Sequence, residues 1–491
     1  MEPRDEPAGP LSSSPALPAS LREALNAPRV ERKDWQHGLA PHFIGLFLWV
    51  VFFDRLAPAT LAVGGLGWSA LGALAGGLLS FLLLYQAPAL WGQRTGRGLE
   101  VLGSGTFGAS GSVWITGVLI GLAEVVWFAV ATYYATDLTL QGLVSCHLIE
   151  PRALRPILLG HWTFQGPLFL ATSLAWSFAA ALTGHYLIRI ISALMNIYPI
   201  FPALMLGTVV VLTLTGVSSF QPLAAVAASA AGGWNGNRNG PHAFLMMIQL
   251  VMGFFAMAGV MSADWGAASR TPRDVTLGGL VGVVFSSTIV ATLALLSVAG
   301  AAGRMPAPTF PPNAGDLTFH ASVSQAIGGT LGGVVLLIFG LGSLAPATYS
   351  AYVFGRRFAA VRPRFSALRW SLIGTVAAWP FVATGAAGRI ETVFGLMGAV
   401  FAPIAGALAA DATRRAHSGT WRGPRPGTNM AGLLAWALGL AVGLVPTIAA
   451  SWGFEPGTRF QPASLFAFLT AYIAFKALAA LGAEPPAVKP E

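Results

Sequence analysis

Between residues 42 and 482 the chain is a succession of apolar runs, each close to the length a helix needs to cross the hydrocarbon core of a bilayer, about 20 residues. Twelve such runs can be marked: 42–65, 68–90, 112–137, 163–184, 187–215, 243–264, 275–300, 328–354, 368–386, 390–411, 429–450 and 463–482. They are called spans 1 to 12 below. Very short turns separate spans 1 and 2 and spans 9 and 10, so those two boundaries are the least defined by sequence. Only 10% of the residues are charged, against about 25% in soluble domains. An all-α polytopic membrane protein follows.

The net charge of +9 invites a nucleic-acid partner. The positions of the charges argue against one, because most basic residues sit in short loops between apolar runs, as orientation signals do. One set of loops carries Arg94 and Arg97, Arg270 and Arg273, "GRRFAAVRPRFSALR" and "RRAHSGTWRGPRPG". The other set holds Arg152, Arg155, Arg238, Arg304, Arg389 and Arg459. The richer side is assigned to the cytoplasm, and an even number of spans puts both termini there. Residues 1–40, rich in Pro, Ser and charge, read as a disordered cytoplasmic tail without a cleavable signal. Residues 483–491 read as a second tail. Cys146 is the single cysteine, which excludes an intramolecular disulfide and a thiolate metal cluster. The eight histidines form no HxxxH or HExxH pattern. Neither a metal, a cofactor nor a catalytic cluster is expected.

Glycine is frequent, with 59 residues. It permits close helix approach, and breaks where a helix lines a cavity. Gly45 in span 1 and Gly253 and Gly259 in span 6 sit at matching positions of two halves. That arrangement points to an inverted repeat with substrate at the two breaks.

The segment after span 2, "GQRTGRGLEVLGSGTFGASGS", resembles a signature of the nucleobase–cation symporter family, which includes cytosine permeases and hydantoin transporters. The matching positions are Arg94, Thr95, Gly96, Phe107, Gly108 and Gly111. "EVVWF" in span 3, "MGFFAMAGVMSADW" in span 6 and "PIAGALAADATRR" in span 10 are similar to family motifs and follow in family order. "SALMNIYPIFPAL" falls where helix 5 belongs. The resemblance covers about residues 42–450. It implies a five-plus-five inverted-repeat (leucine-transporter-like) fold. Repeat one is 42–215, repeat two is 243–411, and two extra helices occupy 429–482 of a transporter domain spanning 41–482. It also implies import of a planar heterocycle across the plasma membrane by alternating access, coupled to H⁺ or Na⁺.

The resemblance places Trp127 and Phe255 on the two faces of the substrate ring. The bland alternative is lipid-facing or core packing, in a chain with 15 Trp and 30 Phe. Glu124 lies one turn before Trp127 and shares its face; the family has glutamine there. A buried carboxylate needs a partner or a proton, and an ionisable residue at mid-membrane is functional by default. Glu124 is therefore expected to read the substrate's edge and carry the coupling proton, or else to pair with a cation such as Arg55. The breaks would offer backbone groups around Trp49 and Gly253, and Phe254 would reshape the pocket. Asp54 and Arg55 read as the outer end of span 1, with a gate as the alternative. Asp264 and Asp411 match positions near the cytoplasmic face and are expected to pair with arginines there.

In span 8 the sequence departs from the family. Gly342 stands where cytosine permeases have a substrate asparagine, and Ala345 and Pro346 stand where the Na⁺-site hydroxyls would be. Ser343 and Thr348 are the nearest substitutes. Proton coupling through Glu124 is the consequence drawn from this. The alternatives are an amino acid or amine carrier of the same fold, a membrane binding protein that does not transport, and an intramembrane enzyme. The orientation has a direct test. An impermeant thiol reagent applied to intact cells should label Cys146, and labelling confined to opened membranes would reverse the assignment.

Overall fold

The computed structural model describes residues 17–27, 30–37, 56–160, 162–194, 200–222, 239–305, 317–415, 421, 423–454 and 459–488. Gly45, Trp49, Asp54 and Arg55 lie outside these residues, and so does most of span 1. Spans 2, 3, 4, 6, 7, 8, 10, 11 and 12 appear as helices Leu61–Thr95, Ala109–Ser145, Pro167–Tyr186, Gly240–Ala267, Pro272–Ala302, Gly329–Val361, Ile390–Arg415, Met430–Ser451 and Ala463–Ala480. Each is long and apolar enough to cross a membrane. The molecule is an integral membrane protein. Span 9 is the shorter helix Ala367–Ala383, and span 5 comprises Ile188–Leu194 and Ile200–Thr213. The boundary expected between spans 1 and 2 falls on Gly65, whose φ of 77° kinks the helix as only glycine does without strain. Two short strands, β1 (Ile157–Leu159) and β2 (Trp162–Phe164), pair antiparallel ahead of span 4. The first residues expected in span 4 therefore belong to a hairpin.

Span 6 differs most from expectation. It runs unbroken for 28 residues. Its glycines serve packing instead. A Cβ on Gly266 would overlap the backbone carbonyl of Ala89 in span 2, and one on Gly259 would come within 2.6 Å of Leu84 Cβ. Spans 2 and 6 thus touch backbone to backbone, which van der Waals packing favours where lipid supplies no hydrophobic drive. The break occurs in span 8, at Ser343 between Gly329–Gly342 and Leu344–Val361. Pro346 is its chemical cause, because it has no N–H for the carbonyl of Gly342. Spans 2, 3 and 7 contain wide-turn π segments at Ser80–Tyr85, Val113–Leu119 and Leu280–Val290.

The tails are also more ordered than composition implied. Residues Ala19–Asn26 form a helix. Leu17, Leu21 and Leu25 recur every four residues, and this stripe packs on Val101 and Ala109. Lys33 continues into a parallel bridge with Ser269. Its N–H donates to the Ala268 carbonyl at 2.8 Å, and Arg270 N–H donates to its carbonyl at 3.0 Å. At the other end, Glu484 pairs with Arg414 and Arg425, both at 2.9 Å. Val488 N–H donates to the Pro424 carbonyl at 2.8 Å.

Gly266→Ala should destabilise the protein by about 1–3 kcal/mol through overpacking. Gly67→Ala, where nothing lies within 4 Å of the added carbon, should be neutral or slightly stabilising. Melting temperatures in detergent compare the two. Equal effects would remove the backbone-contact explanation.

Candidate functional site

Span 3 lies against span 8. A Cβ on Gly340 would come within 2.7 Å of Thr139 Oγ1, and Phe128 meets Phe354 edge-on at 5.7 Å. This crossing buries Glu124 to 2% exposure. Its carboxylate is hydrogen-bonded by Ser350 of span 8, which is 5% exposed, and lies within electrostatic reach of Arg357 further along the same helix. Sequence reading proposed Arg55 as a cation for Glu124 and missed both span 8 partners. A signal was present: Ser350 and Arg357 are seven residues apart, two turns, on one helix face.

One turn beyond Glu124, Trp127 enters a cluster of rings. Phe254 of span 6 meets it edge-on at 5.2 Å, and Phe394 of span 10 meets it tilted at 5.7 Å. Phe254 and Phe394 are 5.4 Å apart. The span 6 ring set on Trp127 is thus Phe254, where the sequence pointed to Phe255. Phe255 lies behind Phe254 at 5.2 Å, beside Ser80, Tyr85, Ala258, Gly259 and Val283. Adjacent helical residues diverge by about 100°, so one helix cannot aim both rings at Trp127. Phe394 was not foreseen; its link to the site passes through Gly253, where a side chain would strike the Phe394 carbonyl. Gly253 therefore packs span 6 on span 10, and in an unbroken helix it frees no backbone group for a ligand.

A flat ring inserted between two aromatic faces needs a gap of roughly 7 Å, twice a carbon–carbon contact. No such gap stands between Trp127 and Phe254, which meet edge-on with centroids 5.2 Å apart. Trp127 itself is half-buried, whereas Phe254 and Phe394 are buried. Access to its covered face requires Phe254 or Phe394 to turn.

Gly342 is buried in the last turn before the span 8 break. The Ser343 hydroxyl donates to the Phe339 carbonyl at 3.3 Å, while the buried Thr348 hydroxyl has no hydrogen-bond partner. No group of three His, Cys, Asp or Glu side chains suited to a metal ion occurs among the described residues.

At the basic face of the molecule Asp264, at the end of span 6, pairs with Arg357 at 3.2 Å and accepts the Leu99 N–H at 2.7 Å. Leu99 begins the short helix Leu99–Thr106. Glu100 in that helix accepts a hydrogen bond from Ser20 of the N-terminal helix and feels Arg357; burial holds its carboxyl above the usual range, against both. Asp411 is fully buried and accepts from the Thr106 hydroxyl at 2.9 Å. The two aspartates thus anchor opposite ends of one loop helix. Asp264 has an arginine partner, and Asp411 has a threonine.

No protein-family model matches the chain, and no curated protein matches it in sequence. Solved structures do match. Mhp1, a nucleobase-cation-symport-1 family transporter, in a closed conformation with bromovinylhydantoin bound, is 16% identical, with a TM-score of 0.60 over 93% of this chain and 96% of that one. The inward-facing conformation of Mhp1 is 17% identical, with a TM-score of 0.62 over 93% and 94%. MhsT in complex with L-phenylalanine is 14% identical, with a TM-score of 0.51 over 93% and 100%. The fold is leucine-transporter-like. At these identities the likeness establishes architecture alone. Glu124 and Ser350 belong to spans 3 and 8.

Trp127→Ala and Phe254→Ala should each weaken binding of a planar ligand by about one stacking contact, 1–3 kcal/mol or roughly 5- to 150-fold. Phe255→Leu should leave binding nearly unchanged. Calorimetric titration of the purified variants tests the assignment, and a loss on Phe255→Leu alone would return the role to Phe255.

Proposed function

We propose that this protein is a secondary active transporter of the plasma membrane, not an enzyme, that imports a nucleobase or related planar heterocycle by alternating access with a proton as coupling ion. The observation that carries the reading is Glu124, a carboxylate buried at the crossing of spans 3 and 8, one turn from Trp127 and hydrogen-bonded by Ser350. A planar heterocycle fits the Trp127–Phe254–Phe394 cluster because every such ring has a face to stack. Mhp1, of similar fold, was solved with a hydantoin derivative bound. Both termini face the cytoplasm in this reading, since the tails dock on the face that carries Arg94, Arg97 and Arg270.

The coupling follows from chemistry at Glu124. A neutral carboxylic acid donates through its O–H and accepts through its other oxygen, so it can bridge the N–H and carbonyl edge of a ring. An ionised carboxylate only accepts, and in a closed apolar pocket it is costly. Substrate and proton therefore favour one another's binding from outside, and loss of the proton toward the cytoplasm weakens the grip. Ala345 and Pro346, which have no side-chain oxygen, are consistent with a proton in place of Na⁺.

Uptake in proteoliposomes should be Na⁺-independent, rise as external pH falls and collapse with a protonophore. Glu124→Gln should bind substrate yet lose pH dependence and concentrative uptake, leaving equilibration. Strict Na⁺ dependence in the wild type, or concentrative uptake with unchanged pH response in Glu124→Gln, would refute proton coupling. Competition by amino acids rather than nucleobases or hydantoins would refute the substrate class.

A further inference from the structure

We infer that Arg357 is a counter-ion shared by Glu124 and Asp264, so that holding the inner gate closed and holding a proton on Glu124 are one event. The inference rests on the proton-coupled reading above.

The geometry lies along one face of span 8. Ser350 touches Glu124, and Arg357, two turns or about 10 Å further on, holds Asp264 at 3.2 Å. The charge of Arg357 is felt at Glu124, and Tyr349, next to Ser350, is in reach of Glu124, Asp264 and Arg357 alike. Helical side chains lean toward the N-terminus of their helix. For Arg357 that direction leads back toward Ser350 and Glu124, so the guanidinium has a second resting place once Asp264 lets go.

The two carboxylates tolerate the loss of this cation differently. Asp264 is 33% exposed and accepts the Leu99 N–H, so it bears its charge without Arg357. Glu124 is 2% exposed, with the Ser350 hydroxyl as a neutral partner. A buried carboxylate deprived of its cation takes a proton. In this scheme, engagement of Arg357 by Asp264 weakens its hold on Glu124 and favours the acid form there. When spans 6 and 8 separate, Arg357 leaves Asp264, turns to Glu124 and stabilises the carboxylate. The carboxyl O–H bond then breaks, and the proton passes to water at the open inner face. Arginine stays charged throughout. The polar and charged groups around this line include Ser350, Tyr349, Tyr352 and Arg357 of span 8, Asp264 of span 6, Glu100 of the Leu99–Thr106 helix, and Ser20 and Glu23 of the N-terminal helix.

The test needs no substrate. The infrared band of a protonated carboxyl that disappears in Glu124→Gln reports Glu124, and its pH midpoint is measured in detergent-purified protein. Arg357→Gln should raise the midpoint, by roughly one pH unit at the low end of what an opposite charge does to a carboxylate. Asp264→Asn releases Arg357 toward Glu124 and should lower it. Arg357→Lys, which keeps the charge, and Glu100→Gln should leave it near the wild-type value. Opposite shifts are expected only of a shared counter-ion, and Asp264→Asn and Arg357→Lys keep the test decisive if Arg357→Gln fails to fold. Shifts of the same sign, no shifts, or Arg357→Lys behaving as Arg357→Gln would overturn the role of Arg357 and leave proton coupling standing. A wild-type band that does not titrate across the neutral range would overturn proton coupling and the shared counter-ion together.

Discussion

A carboxylate at the centre of an apolar helix cannot be left without compensation, and the crossing of spans 3 and 8 is organised around that requirement. Glu124 is buried with Ser350. The contact is backbone-close at Gly340 and ring-filled at Phe128 and Phe354, so water does not take over the compensation. From this point contacts run one way through Trp127 to the ring cluster and the other way along span 8 to Arg357 and Asp264. Each extension is one or two helical turns long.

The irregular backbone is concentrated in spans 2, 3, 7 and 8. Span 8 breaks at Ser343, and spans 2, 3 and 7 carry wide turns that loosen their hydrogen-bond ladders. Span 6 is regular and presses on spans 2 and 10 through glycine, at Gly266 against Ala89 and at Gly253 against Phe394.

The tails bind the same face as the Asp264–Arg357 pair. Leu21 and Leu25 seat the N-terminal helix on Val101, the next stretch bridges Ser269 after span 6, and Glu484 ties the C-terminal segment to Arg414 and Arg425. The Leu99–Thr106 helix is therefore held by Asp264, Asp411 and the N-terminal segment together. Glu100, half-buried and hydrogen-bonded by Ser20, places a further titratable group at that junction.

The apolar runs determined membrane insertion and nearly every helix, because a bilayer demands a continuous apolar length that composition displays openly. Glu124 was legible for the same reason, as a lone carboxylate in such a run; the kink at Gly65 was not, and it is the backbone conformation that reveals it. What the sequence left open depended on neighbours distant in the chain. Glycine reads alike whether it breaks a helix or seats one, and only the position of Ala89 and Phe394 decided for seating in span 6. Adjacent Phe254 and Phe255 are equivalent until the rotation of span 6 about its axis is set by packing. Average composition hid the four-residue repeat of Leu17, Leu21 and Leu25, whose burial exists only once Val101 and Ala109 are in place. The pairing of Glu124 with Ser350, and of Asp264 with Arg357, came from the antiparallel register of spans 3 and 8 and from the approach of span 6. No local pattern encodes these, because they are contacts between helices and not properties of any one of them.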